Sequence, residues 1–293
     1  MYIFVQMLYN LIKLKKLVID FYQKLCSIGL TTPVLGMPAS GKEKINMKGE
    51  LISKGRIASV YRDGGNAVKV FNKGLSKTEA LNEALNTTRV EETGFPIPSI
   101  SEVSVIDGQW AITMNYIEGQ TLADIIKSDP KNIKKYMEQM VDLQLKMHEK
   151  KAPLLNKLKD KLIRQIQSLD SLDDARKYEL LTRLDGMPKH TKLCHGDFSP
   201  QNIIVAKDGM YVLDWVHATQ GNASADVART YLLLCLNDQK EADLYLDIFC
   251  KKSGTEKKYV QSWMPIVAAA QLTKEKPEEK ELLMKWLDVV EYM

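Results

Sequence analysis

Residues 193–215 read LCHGDFSPQNIIVAKDGMYVLDW. Asp197, Asn202 and Asp214 stand there between apolar runs, Leu193-Cys194 before and Ile203-Ile204-Val205 and Tyr211-Val212-Leu213 after. Such runs suit short strands, and Lys207-Asp208-Gly209 suits the turn joining two of them. That hairpin would put Asn202 near the start of one strand and Asp214 near the end of the other, so the three polar groups converge. A carboxylate with an amide oxygen is a hard, oxygen-only pair of the kind Mg²⁺ takes. A second carboxylate, five residues before Asn202, can accept the proton of an attacking hydroxyl.

H-G-D-x-x-x-x-N followed by L-D-W resembles the catalytic signature of the aminoglycoside phosphotransferase and choline kinase family, small-molecule relatives of the protein kinases. The resemblance spans about 48–293 and is most specific over 193–230. The wording of 83–119 and 209–232 is most similar to a bacterial branch of mostly uncharacterised phosphotransferases. It implies a two-lobed, protein-kinase-like α+β fold, with a small antiparallel-sheet N-lobe and a larger helical C-lobe. It also implies ATP or GTP as donor, a small-molecule hydroxyl as acceptor, Mg²⁺ on Asn202 and Asp214, and Asp197 acting on the acceptor hydroxyl.

The resemblance asks for partners upstream. Asn66-Ala67-Val68-Lys69-Val70-Phe71 looks like the family's V-A-I-K strand, so Lys69 is expected on the α- and β-phosphates. Glu83, on the following helix, is its expected ion-pair partner, with Glu79 one turn earlier as the rival. Ser53–Tyr61 keeps one glycine of the Gly-rich loop, Gly55, and backbone N–H groups over Gly55–Ser59 are expected to face the phosphates. Thr113–Gly119 resembles the hinge: the Asn115 C=O and Ile117 N–H would bond the adenine edge, with Met114 behind it. His195 is expected to brace the catalytic loop, and Asp226, in the D-x-A segment, to hold that loop's backbone. Cys194 reads as a packed thiol. Ser199 stands where many members have His, which leaves the positioning of the γ-phosphate open. A protein serine/threonine kinase is the rival enzyme class, disfavoured because no A-P-E-bounded segment follows Asp214. A catalytically inactive nucleotide-binding module is disfavoured because Lys69, Asp197, Asn202 and Asp214 are all present.

The elements that must position these residues follow from patterning. Short runs rich in Ile, Val and Tyr at 49–53, 57–61 and 66–71 read as strands, with Asp63-Gly64-Gly65 as a hairpin signal. Residues 76–93 read as a helix opened by Ser76 with Glu79 three residues on, and stopped by Gly94. Strands follow at 101–106 and 109–116, joined by Asp107-Gly108. Helices are expected at 121–128, 131–150, 154–168, 171–184, 224–236, 238–252, 255–270 and 278–292. The resulting division is an extension over 1–47, a nucleotide-binding lobe over 48–115 and a catalytic and substrate-binding lobe over 116–293.

Charge separates the extension from the rest. Of the formal net charge of +4, all lies in residues 1–47, with six Lys against Asp20 and Glu43. The remainder is balanced, so no basic face for nucleic acid is implied. Leu8, Leu11, Leu14, Val18, Phe21 and Leu25 recur at helical spacing, giving an amphipathic helix whose ordinary role is packing; membrane-surface contact through 1–27 is the minority reading. Lys13, Lys15 and Lys16 fall inside the apolar run, unlike a signal peptide. The residues before Met47 are expected to be dispensable. Gly36-Met37-Pro38-Ala39-Ser40-Gly41-Lys42-Glu43 has Walker A spacing, but Glu43 replaces the Mg²⁺-binding hydroxyl and Pro38 removes an N–H, so it reads as coincidence. Four cysteines without C-x-x-C pairing point to a reduced, cytoplasmic protein. Residues 216–293 are nearly balanced in charge, which argues weakly against an acidic pocket for polycationic aminoglycosides.

Overall fold

Two glycines turn the chain between β2 (Ala58–Asp63) and β3 (Asn66–Phe71). Gly64 adopts φ +58°, the left-handed backbone that a two-residue hairpin loop demands. The computed structural model describes residues 49–288, all within one compact unit that starts at Asn46. The amphipathic segment and the Walker-like stretch lie outside the described residues.

β1 (Glu50–Lys54), β2, β3, β4 (Ile100–Ile106) and β5 (Gln109–Asn115) form one antiparallel sheet in the order β1-β2-β3-β5-β4. Helix α1 (Lys77–Glu91) packs on one face through Ala80 and Ala84, which meet Ala58, Phe71 and Ile112. Val70, Ile106 and Ala111 form a separate cluster. Neighbouring strand residues point to opposite faces, so Val70 and Phe71 serve different clusters and Lys69 shares the face of Phe71, toward α1.

The rest is mainly helical: α2 (Leu122–Ser128), α3 (Ile133–Glu149), α4 (Leu158–Gln167), α5 (Asp174–Gly186), α6 (Ala223–Cys235), α7 (Gln239–Ser253), α8 (Lys257–Gln261), α9 (Met264–Leu272) and α10 (Pro277–Asp288). Every residue of α9 is buried, as a sequence apolar at every position but Gln271 requires. Two small sheets carry the motif segment. β6 (Gly119–Thr121), β8 (Ile203–Ala206) and β9 (Met210–Val212) form one; β7 (Lys192–Cys194) pairs with β10 (Thr219–Gly221) in the other. The fold is thus α+β, an antiparallel sheet with one helix followed by a helical remainder.

Three features depart from the patterning. β6 and β10 are strands that the sequence reading did not anticipate. The helix expected over 154–168 starts only at Leu158. The helix expected over 255–270 breaks between Gln261 and Met264, because Pro265 belongs to the first turn of α9 and cannot continue a preceding helix. Among the described residues no helix is long and apolar enough to cross a membrane.

Candidate active site

Lys69 projects from the middle of β3 into the space beneath α1. Its Nζ lies 2.5 Å from Glu83 Oε1 and 3.3 Å from Asp214 Oδ1. Burial alone would lower this ammonium, but the Asp214 and Glu83 carboxylates outweigh it and hold Lys69 above its ordinary range. Glu79, the rival, is engaged elsewhere. Its carboxylate accepts from the Ser76 N–H at 3.0 Å while Ser76 Oγ accepts from the Glu79 N–H, a capping box at the start of α1.

The second half of the site hangs on His195, which is fully buried. Its Nδ1 accepts from the Asp197 N–H at 3.0 Å, so the ring proton sits on Nε2, which donates to the Leu213 C=O at 2.9 Å. One imidazole therefore ties the loop carrying Asp197 to the strand end carrying Asp214. Its ring centroid lies 4.5 Å from that of Trp215, with the two planes tilted by 58°. Asn202 closes the loop: its Nδ2 donates to the Asp197 C=O at 2.9 Å, and its C=O accepts from the Leu213 N–H at 2.8 Å. Asp214 itself has φ +62°, a left-handed conformation that non-glycine residues adopt when the surroundings force it.

Asp226, at the start of α6, anchors the loop from behind. Its Oδ1 accepts from the Gly196 N–H at 2.7 Å, and its Oδ2 lies 3.0 Å from His148 Nε2. Burial works to raise this carboxyl, yet the His148 ring and the Gly196 N–H prevail and hold it below the usual carboxylate range. Gly196 has φ +79°, and a side chain there would bring its Cβ to 2.9 Å from the His217 carbonyl oxygen. Cys194 is buried, and burial pushes its thiol far up, which suits packing and not nucleophilic work.

With its Nδ2 turned to Asp197, Asn202 keeps its amide oxygen available as a ligand, and the Asp214 carboxylate, whose neighbour Leu213 bonds the Asn202 backbone, is half-exposed. This donor set fits a hard divalent cation that shares its remaining positions with water and phosphate. No group of three His, Cys, Asp or Glu suited to a metal occurs among the described residues. At the sheet end, the Asn115 N–H donates to the Ser99 C=O and the Tyr116 N–H to the Gly65 C=O. Among the described residues no group accepts from the Ile117 N–H. Met114 pairs with Ala67 across the strands and packs on the α1-side core. Gly55 closes the β1–β2 turn, its N–H donating to the Ala58 C=O at 2.8 Å, so that amide is committed to the hairpin. Ser59 follows on β2, opposite Val70.

The sequence profile of the phosphotransferase enzyme family matches residues 48–249. The chain belongs to this family. Among solved structures it is similar to a thermostable mutant of aminoglycoside phosphotransferase APH(4)-Ia, with 14% identity and a TM-score of 0.60 over 81% of this chain and 90% of that one. Choline kinase LicA from Streptococcus pneumoniae gives 18% identity and a TM-score of 0.57 over 81% and 92%. A choline/ethanolamine kinase family protein from Mesorhizobium loti gives 15% identity and a TM-score of 0.54 over 80% and 83%. These likenesses establish the protein-kinase-like fold. No curated protein matches the sequence. The phosphotransferase is therefore an enzyme of the kinase type, with a hydroxyl group as acceptor.

Several residues of the phosphotransferase site escaped sequence reasoning. Gln144 and His148, one helical turn apart on α3, are both buried against Asp226. Their signal was two polar residues at i and i+4 on an otherwise apolar face. Arg229 and Lys274 also reach the loop carrying Asp197, and Lys161 reaches the His217 carbonyl after Asp214, from three distant positions in the chain.

Proposed function

We propose that this enzyme moves the γ-phosphoryl group of ATP to a hydroxyl of a small molecule. The reading rests on Lys69, whose ammonium contacts both Glu83 and Asp214. That contact draws the sheet, α1 and the motif segment around one point where phosphates would lie. Lys69 binds the α- and β-phosphates, and Glu83 keeps its side chain extended toward them. The hinge strand presents the Asn115 C=O and the Ile117 N–H to the adenine edge. Asp214 and Asn202 would hold Mg²⁺, which when bound neutralises charge on the phosphate oxygens. Asp197 accepts the proton of the acceptor hydroxyl as its oxygen bonds to the γ-phosphorus and the bridging P–O bond to ADP breaks. His195, Asp226 and Gly196 fix the loop, so the chemistry rests on positioning and charge, as phosphoryl transfer requires.

The two aspartates separate in a direct experiment. Asp214→Ala should lose metal-dependent ATP binding and turnover together. Asp197→Ala should keep Mg·ATP binding by calorimetry while ADP release falls by roughly 10²–10⁴. The reverse pattern would overturn the assignment, and unchanged turnover in both variants would overturn the kinase reading.

A further inference from the structure

On the α4, α6 and α9 side of Gly196 lies a small cleft of about 50 Å³ that opens to solvent. Lys161 enters it from α4, Arg229 from α6, and Lys274 from just beyond α9. Each is tied back to the catalytic loop or the segment after Asp214. Lys161 Nζ donates to the His217 C=O at 3.1 Å, and Arg229 Nε donates to the Gly196 C=O at 3.2 Å. Lys274 Nζ lies 3.9 Å from Asp197 Oδ1. Among the described residues that is the only carboxylate within 4 Å of any of the three, and none approaches Lys161 or Arg229 so closely.

Three carboxylates act on these cations: Asp197, Asp226, which lines the cleft but is committed to the Gly196 N–H and His148, and Glu279, which accepts from Gln271 and pairs with Lys276. No oxygen of Asp226 or Glu279 comes within 4 Å of a cleft cation, so the three cationic heads crowd together in a partly buried space, which a further anion would relieve. Lys161 shows the strain: burial first, then Arg229 and Lys274, pull its ammonium down to about 8. Lys274 is lowered by burial and by Arg229. His217, which also lines the cleft, is held near 2 by burial and the same three cations, so it adds no charge. None of Lys69, Asn202, Asp214 and Asp197 itself lines the cleft, which meets the loop at Gly196.

We propose that the acceptor carries, beside its reacting hydroxyl, an anionic group that Lys161, Arg229 and Lys274 hold in this cleft. That group is a phosphate or a carboxylate. The inference rests on the assignment of Asp197 to the acceptor hydroxyl: an anion seated against Lys274 brings its own molecule next to that carboxylate. It gives the acceptor the opposite charge to the polycationic aminoglycosides. The guanidinium supplies a planar fork for two oxygens, and the lysines supply point charges on either side.

The test uses the full chain loaded with saturating Mg·AMP-PNP, so that the nucleotide site is filled. Inorganic phosphate is titrated by calorimetry into the loaded wild type, Lys161→Met and Lys274→Met. Phosphate should bind the loaded wild type, and each variant should weaken it roughly tenfold or more, the worth of one charged hydrogen bond. Absent binding, or binding unchanged in both variants, overturns the proposal. Phosphate that binds only nucleotide-free protein overturns it too, because the cations would then serve the transferred phosphoryl group. Failure of AMP-PNP itself to bind would instead strike at the kinase reading. ADP release is then followed with glycerol, ethanolamine, glycerate and glycerol 3-phosphate, and with glucose, glucosamine, gluconate and glucose 6-phosphate. Activity favouring the anionic members, with KM for acceptor but not for ATP raised in the variants, supports the proposal and separates carboxylate from phosphate. Preference for neutral or cationic members overturns it.

Discussion

Glu83 and Glu79 lie one turn apart on α1, yet their removal should have different consequences. Glu83→Gln takes the charge from a pair whose oxygen stands 2.5 Å from Lys69 Nζ, with side chains only 6% and 12% exposed. Breaking a buried pair from one side costs about 3–5 kcal/mol. Lys69 keeps Asp214 at 3.3 Å, which offsets part of that and leaves about 2–3 kcal/mol. In a fold of this size that corresponds to a fall in Tm of roughly 5–10 °C. Lys69 should then settle on Asp214 and occupy the carboxylate proposed for Mg²⁺, weakening Mg·ATP binding roughly tenfold or more. Glu79→Ala breaks only an exposed capping box, worth about 0.5–1 kcal/mol, and should leave Mg·ATP affinity unchanged. Thermal unfolding beside Mg·ATP calorimetry reads both effects. Equal nucleotide affinity in Glu83→Gln and wild type, or a matching loss in Glu79→Ala, would refute the reasoning.

Three further outcomes are expected. Gly196→Ala should cost about 1–3 kcal/mol and most of the turnover, because it strains a φ of +79° and crowds the His217 carbonyl; urea unfolding and ADP release measure both, and wild-type behaviour would exclude the tight loop. Asp226 has a lowered folded pKa, so its stabilisation is present above the unfolded carboxylate range and lost as pH falls through the folded value. The stability gap between wild type and Asp226→Asn should therefore shrink below about pH 4, and a pH-independent gap would contradict this. Lys161 titrates near 8 when folded, against 10.5 as its ordinary value, so between those pH values the unfolded chain binds more protons and stability rises with pH. Lys161→Met should be the more stable protein near neutral pH, with the difference narrowing toward pH 10.5; a less stable variant would show that Lys161 is adequately compensated.

Much of this architecture was written locally. The turns at Gly64-Gly65 and Asp107-Gly108 need left-handed backbone and say so in their residues. The Ser76 capping box marks the start of α1, and the spacing of Asp197, Asn202 and Asp214 marks the motif segment. What was illegible depends on distance. Gly119-Gln120-Thr121 and Thr219-Gln220-Gly221 have no strand composition of their own and become strands only because β8 and β7 offer a partner edge. The break before α9 was legible in Pro265 and was passed over. Lys161, Arg229 and Lys274 are far apart in the chain, and only the packing of three helical segments gathers them.

The stretch after Asp214 carries a consequence for control. Only seven residues separate Asp214 from Asn222, the cap of α6. Trp215 is buried and donates its indole N–H to the Val212 C=O, and the Val216 C=O accepts from Asn86. The Ala218 N–H donates to the Trp215 C=O, Thr219 through Gly221 pair with β7, and the Gln220 side chain bonds the Pro153 and Leu155 carbonyls. In protein kinases the corresponding stretch is a long segment that phosphorylation orders, turning the enzyme on. Here the only hydroxyl in the stretch, Thr219, is 1% exposed, and no slack is left to swing. A phosphate could not order this segment as it does in a protein kinase, because the segment is already held in place and its one hydroxyl is buried.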